Sequence, residues 1–135
     1  MNNLGGSIAL ESYDVEQFAA DRAMNAAGTS NAVNVSETGI LVSIGIYRSV
    51  AWAGSPTMFL EIQIDGGTTR QIQICAGAAN FPDTIPFGVF DGIGFTSLQY
   101  LIVTRFQSSL RVGLNVTVGG SGGTSRIVVI KGKKL

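Results

Sequence analysis

The sequence predicts an all-β protein, an antiparallel β-sandwich of jelly-roll or Greek-key type with one short N-terminal helix. Two observations predict this class. About seven or eight short segments alternate apolar and polar residues, as strands with one buried face do. Turn-forming residues separate these segments roughly every 8–12 residues, and strands do not alternate with helices, which is typical of sandwiches rather than parallel α/β folds.

Residues 1–38 are predicted to form an N-terminal arm and the short helix. Asp14 is placed to cap a helix over about residues 15–27, and Gln17 completes a variant of the capping box. Gly28 is placed to end it. Apolar residues recur at helical spacing, and we expect this small, alanine-rich stripe to pack on a sheet or a neighbouring subunit: Val15, Phe18, Ala19, Ala23 and Ala26.

Residues 39–135 are predicted to form the sandwich as a single folding unit. Alternation from Ile40 to Tyr47 predicts a central strand, and further strands are expected over residues 98–106, 110–118 and 126–131. Residues 76–97 mix aromatic residues with glycine and proline, which predicts a long packed connection with a short strand near residues 85–90. The glycine-rich stretch at residues 119–123 predicts a flexible hairpin tip.

Residues 58–75 predict a hairpin whose register can be argued from its pattern. Facing residues on antiparallel strands share one side of the sheet, so the apolar rows must face each other. A two-residue turn would instead place Ile62 opposite Gln71. We therefore expect a wide turn at residues 65–69, with Ile62 opposite Ile72 and Leu60 opposite Ile74.

The composition argues against an enzyme. The chain has no histidine and one cysteine, Cys75, which removes histidine-activated nucleophiles and thiolate zinc clusters, so we expect no cofactor and no metal. Cys75 is expected to be a small core or edge residue. Asp83 and Asp91 are the best candidates for a glycosidase carboxylate pair, but both stand in turn contexts where aspartate commonly bonds its own backbone.

The charge content predicts a partner-covered surface. Only 13% of the residues are charged, whereas 45% are hydrophobic. A solitary domain normally has a more charged surface, so we expect a homo-oligomer or an assembly component. The net charge of zero argues against nucleic acid as a partner. We expect no signal peptide and no membrane span, hence synthesis in a cytoplasm.

The chain resembles the small jelly-roll proteins of bacteriophage virions, in particular capsid decoration or cement proteins. The resemblance lies in its size, its all-β patterning over residues 33–131, its short leading arm and its glycine-rich turns. The resemblance implies a non-enzymatic virion protein, commonly a homotrimer, that binds the major capsid protein or another virion protein. It carries no functional residue over. The candidate contact residues follow from the predicted arm, the doubly apolar strand and the basic C-terminal end: Phe18, Arg22, Leu101, Val103, Arg105, Lys131, Lys133 and Lys134.

The alternative hypothesis is a carbohydrate- or receptor-binding module, such as a fibre tip or a lectin-like domain. Its site would combine an aromatic platform with the carboxylates of the 76–97 connection. The residues of this alternative site are Tyr47, Trp52, Asp83 and Asp91. A core position for Trp52 would be the simpler explanation of that residue.

Overall fold

The computed structural model describes residues 12–76, 89–90 and 95–135, with the backbone alone at residues 51, 76, 89–90 and 95–101. This part contains nine strands: β1 (Tyr13–Ala23), β2 (Gly28–Val35), β3 (Gly39–Ala53), β4 (Thr57–Ile64), β5 (Arg70–Ala76), β6 (Val89–Phe90), β7 (Phe95–Phe106), β8 (Leu110–Val118) and β9 (Gly122–Lys134). Sheet A has the strand order β1-β9-β3-β7-β6, and sheet B has the order β2-β8-β4-β5. Two antiparallel sheets are consistent with the predicted sandwich.

The core lies between the sheets and is filled by alternate residues of the central strands. Cys75 and Trp52 belong to it. Burial raises the pKa of the Cys75 thiol to about 11, so this cysteine is a packed side chain. The central strands contribute mainly aliphatic residues, all buried: Leu41, Ile44, Ile46, Met58, Leu60, Ile62, Leu110, Val112, Leu114, Val116, Ile127 and Val129.

The predicted N-terminal helix is wrong, because its residues form β1. β1 pairs with β9 along its whole length, from Tyr13 opposite Lys134 to Ala23 opposite Thr124. Phe18 and Ala20 pack against the core, so the side chains follow a period of two. An alanine-rich helical stripe buries little apolar area, whereas pairing with β9 gives this segment backbone hydrogen bonds along one full edge.

The hairpin prediction is confirmed in its turn and wrong in its register. Five residues, 65–69, separate β4 from β5. Leu60 lies opposite Ile72 and Ile62 opposite Arg70, a shift of two residues from the predicted pairs. The shift keeps the apolar residues on one face, and Ile62 does not face Gln71. A bulge between Met58 and Phe59 changes the register there, so that Met58 pairs with Cys75.

Residues 119–123, predicted to form a flexible tip, are held by backbone hydrogen bonds. The Gly120 N–H donates to the Met24 carbonyl at 2.7 Å, and the Ser121 N–H donates to the Ala53 carbonyl at 2.8 Å. A Cβ atom at Gly120 would lie 2.3 Å from the Ala53 carbonyl oxygen. Glycine is therefore needed for this close approach of two backbones.

Two findings limit the kinds of site in the described part of the chain. Residues 12–76, 89–90 and 95–135 include no helix that is both long and apolar enough to cross a bilayer. Within the same residues, cysteine and carboxylate side chains form no group of three that could hold a metal ion.

Candidate protein-interaction surface

The outer side of sheet A carries an uncharged, largely apolar surface, which we call the uncharged face. Its residues alternate with buried residues on three neighbouring strands, and the pairing places them in rows: Val15, Gln17 and Ala19 of β1; Ile130 and Val128 of β9; Ser43 and Gly45 of β3. Val15 is 42% exposed. Three strands and three rows span about 14 Å by about 20 Å of sheet, roughly 300 Å². Ile40, in the row of Val15, is buried, so the exposed apolar area is smaller than this. The largest apolar patch on a typical monomer is about 300–600 Å² and is often functional.

Charged residues lie at both ends of the uncharged face. At one end, Arg126 donates two hydrogen bonds to Asp21, at 2.7 and 3.1 Å. These bonds hold the pKa of Asp21 below its usual value. At the other end, Arg105 and Lys134 line a cleft of about 560 Å³ together with Tyr13. The charges of Arg126 and Asp21 therefore neutralise each other at one end, whereas the other end is basic.

Apart from the half-buried Phe59, the outer side of sheet B is polar and internally hydrogen-bonded. The Glu61 carboxylate accepts hydrogen bonds from Gln71 at 2.7 Å, Asn115 at 3.1 Å and Arg111 at 3.2 Å. Burial raises the pKa of Glu61, but these hydrogen bonds outweigh it and leave the pKa below its usual value. Arg111 also bonds Asn31 at 3.2 Å. This side of the sandwich presents polar groups that already have partners.

Asp65 ties the β4–β5 turn to the β7–β8 turn. One carboxylate oxygen accepts the backbone N–H groups of Ser108 at 2.7 Å, Gln107 at 2.8 Å and Ser109 at 3.2 Å. The Ser108 N–H is the largest cause of a lowered pKa at Asp65. Asp65 has a φ of 55°, which aspartate tolerates better than most residues. One side chain thus positions two turns at the same end of the sandwich.

The Asp65→Asn variant should have a lower melting temperature than the wild type at pH 7. A carboxyl whose folded pKa is depressed contributes stability above its ordinary value of 3.8, and this contribution disappears as pH falls through the folded pKa. The difference between variant and wild type should therefore shrink below about pH 4. Thermal melts from pH 3 to 7 measure it. Asp14→Asn, an exposed carboxylate on β1, is the control; a difference for Asp65→Asn that persists at low pH would contradict this account.

Lys131 occupies a buried position at the end of sheet A. Its ammonium group pairs with Glu37 at 2.5 Å and lies 5.0 Å from the centre of the Phe18 ring. Ser125, Ile127, Val129 and Lys131 alternate along β9 on its core-facing side, so the strand itself directs this cation inward. Glu37 therefore compensates a charge inside the sandwich.

The structure places the predicted contact residues in different environments. Phe18 and Lys131 are turned toward the core, and Arg22 bonds Ser30 at 3.4 Å. The side chain of Leu101 lies outside the described residues, although its backbone pairs with Ser43. The remaining four residues are exposed: Val103, Arg105, Lys133 and Lys134. Their role in binding stays a prediction.

The residues of the alternative glycan site are not seen as an exposed platform. Trp52 is buried in the core, and the Arg48 guanidinium lies 5.5 Å from the centre of its ring. Tyr47 is half-buried on the outer side of sheet A, in the row of Arg126. Asp83 and Asp91 lie outside the described residues. A sugar-stacking role for Trp52 would require its ring to leave the core.

Two features were not found from the sequence. Val128 and Ile130 stand in an apolar run with Ile127 and Val129, so alternation alone did not reveal which of them faces outward. The predicted register, with Leu60 opposite Ile74 and Ile62 opposite Ile72, would place Glu61 opposite Gln73, and the two-residue shift brings it opposite Gln71 instead. The apolar run on both sides of β9 was the available signal for a covered outer face.

The comparisons with known proteins give a fold and no family. No protein-family model and no curated protein sequence matches the chain. A chain in the acidic stable capsid structure of Helicobacter pylori bacteriophage KHP30 is similar with a TM-score of 0.62 and 11% identity, covering 88% of this chain and 87% of that one. The overall fold is thus shared with that chain.

Two further solved structures are more distant. A chain of the infectious bursal disease virus Gx strain has a TM-score of 0.40 and 11% identity, covering 89% of this chain and 30% of that one. The chain in the crystal structure of FLHE has a TM-score of 0.36 and 9% identity, covering 87% of this chain and 96% of that one. At these TM-scores the two likenesses carry no argument.

Proposed function

We propose that the protein is a non-enzymatic structural component of a virion, a decoration or cement protein that binds neighbouring capsid subunits as a homotrimer. The supporting observation is a fold shared over nearly the full length of this chain and of a KHP30 capsid-structure chain. With β6 set aside, the strand order supports a jelly-roll topology. The protein would be made in the host cytoplasm and then join the particle.

The difference between the two outer faces supports one orientation on the capsid. Polar groups on sheet B already bond one another around Glu61 and Arg111, so a partner would gain little by contacting them. The uncharged face of sheet A exposes Val15 and presents small residues such as Ala19 and Gly45, which permit close approach. Sheet A therefore faces the capsid, and sheet B faces solvent.

The size of the uncharged face favours several linked copies. Burying roughly 300 Å² on each partner contributes at most about 15 kcal/mol before costs, at about 25 cal/mol per Å². Association itself costs about 4 to 15 kcal/mol. One copy is therefore left with between about 0 and about 11 kcal/mol. Three linked copies that bind neighbouring subunits would add avidity and bridge the junction between them.

Binding to particles that lack the protein tests this proposal. The Val128→Glu variant places a carboxylate at the centre of the uncharged face and should reduce the copies bound per particle at least about tenfold, because the charge must be desolvated in the interface. Thr117→Glu, an exposed position on the outer side of β8, is the matched control. Bound copies are counted after sedimentation of the particles.

The wild type and Thr117→Glu should also raise the temperature at which the particles rupture, and Val128→Glu should not. The proposal fails if the wild-type protein does not associate with the particles. Equal loss of binding in the two variants would reject the assignment of sheet A as the contact surface.

A further inference from the structure

The two sides of the sandwich differ in how they are closed. On one side, β1 packs against β2. On the other, β5 of sheet B and β7 of sheet A flank a cavity of about 540 Å³. Four isoleucines line it: Ile62, Ile64 and Ile72 from sheet B and Ile102 from sheet A. This side of the core is incompletely covered by the described residues.

The edge of β5 can accept another strand. Within the described part of the chain, β5 is the last strand of sheet B and pairs with β4 alone. Ile72 points toward the cavity and is 37% exposed. The facing edge of β7 is distorted, because Val103 has a φ of 47° that a β-branched residue rarely adopts. Such a distortion opposes strand pairing, so β5 is the available edge.

The points where the undescribed connection joins the sheets lie away from this cavity. β5 ends at Ala76, which is opposite Thr57, whereas the cavity adjoins Arg70 at the start of the strand. Six residues of strand separate the two positions, about 20 Å. β6 pairs with the first residues of β7, again at the far end from Ile102. The cavity therefore opens at the end of the sandwich opposite these junctions.

Residues 1–11 have the sequence that a strand at this edge needs. They lie outside the described residues. Leu4, Gly6, Ile8 and Leu10 alternate with Gly5, Ser7 and Ala9, so an extended conformation places the apolar side chains on one face. Two adjacent large apolar residues on that face, Ile8 and Leu10, match a cavity lined by isoleucines.

The same copy cannot supply Ile8 and Leu10 to its own cavity. A strand added beyond β5 lies about 19 Å along the sheet and about 10 Å across the sandwich from β1, or about 22 Å away. Leu10 precedes Tyr13 by three residues, so a fully extended chain places it at most about 10 Å from Tyr13. Ile8 precedes Tyr13 by five residues and can lie at most about 18 Å away. Only another copy brings these residues within reach.

We propose that residues 4–11 of a second copy add to β5 as a strand and place Ile8 and Leu10 in the isoleucine cavity. This inference rests on the proposed homo-oligomeric role. Each copy gives its arm to one neighbour and accepts an arm from another, a heterologous contact that closes into a ring such as a trimer. Main-chain hydrogen bonds to β5 and burial of the two side chains hold the ring together.

Sedimentation of the full chain at increasing concentration tests the proposal through the alternation of the arm. Ile8→Asp and Leu10→Asp place a charge in the cavity and should raise the dissociation constant of the oligomer at least about tenfold. Ala9→Asp, between them on the opposite face, should change it less than about threefold. Ile72→Asp and Gln73→Asp make the same comparison on β5. The arm substitutions precede Tyr13, the first residue of β1, and change no residue of the described strands.

A wild type that remains monomeric at every concentration would overturn the inference. Equal effects of Ile8→Asp and Ala9→Asp would also overturn it. An unchanged dissociation constant in Ile8→Asp and Leu10→Asp would overturn it as well. That result is expected if residues 77–88 of the same copy cover the cavity. The oligomer test and the particle-binding test are independent of each other. Val128→Glu should remain oligomeric but no longer bind particles. If the arm variants leave the oligomer unchanged while the wild type still binds particles, only the arm exchange is rejected.

Discussion

Replacing Glu37 by glutamine should lower the free energy of unfolding by about 3 to 5 kcal/mol, the usual cost of leaving one buried charge without its partner. Lys131 is buried beside the Phe18 ring, and Glu37 is its ion-pair partner. Glutamine keeps the shape of the side chain and removes its charge. Urea denaturation monitored by Trp52 fluorescence measures the change.

The matched variant at this site is Lys131→Met, which removes the cation and keeps an unbranched apolar side chain. It should cost less than Glu37→Gln, because the Glu37 side chain that it leaves unpaired is 16% exposed, against 5% for Lys131. The double variant Glu37→Gln/Lys131→Met should cost less than about 1 kcal/mol or stabilise the protein, because replacing a buried ion pair by apolar packing is often neutral or favourable. If Lys131→Met costs as much as Glu37→Gln, the pair stabilises the fold in its own right and the explanation is wrong.

The Glu61→Ala variant should lower the free energy of unfolding by about 2 to 3 kcal/mol, because three donors lose one acceptor. Glu61 has a side chain that is 9% exposed and bonds Gln71, Asn115 and Arg111. Removing the carboxylate leaves the Arg111 guanidinium next to polar groups without a counter-ion. The same urea denaturation experiment measures this loss.

Two comparisons separate the network from a general effect on sheet B. Gln73→Ala, an exposed residue on the outer side of β5, should change stability by less than about 0.5 kcal/mol. The cost of Glu61→Ala should fall as the pH drops through the lowered pKa of Glu61, since protonation removes the same charge from the wild type. A cost independent of pH would indicate lost packing rather than lost charge.

The sequence contains enough information for most of the strands, because alternation survives wherever one face is buried. β4 and β8 follow this pattern closely, with Leu60 and Leu114 inward and Glu61 and Asn115 outward. β1 could not be predicted in this way. Its apolar residues fit the spacing of a helix and that of a strand. Pairing with β9, which lies 111 residues further along the chain where Phe18 is opposite Val129, selects the strand.

The register and the interaction surface depended on contacts that local sequence does not encode. Asp65 accepts three N–H groups from the β7–β8 turn, and this contact helps to place the β4–β5 turn. The uncharged face became visible once pairing had brought Ala19, Val128 and Gly45 into one row. Its residues come from three distant segments, so no single stretch of sequence shows the patch.

Side-chain footprinting by hydroxyl radicals, on the free protein and on the protein bound to virus particles, tests the central claim most directly. Ile130 lies on the uncharged face of sheet A, and Phe59 lies on the outer side of sheet B; both are half-buried in the free chain. We expect labelling of Ile130 to fall several-fold on the particle and labelling of Phe59 to stay unchanged. Protection of Phe59 with Ile130 unaffected, or absence of the protein from the particles, would contradict the account.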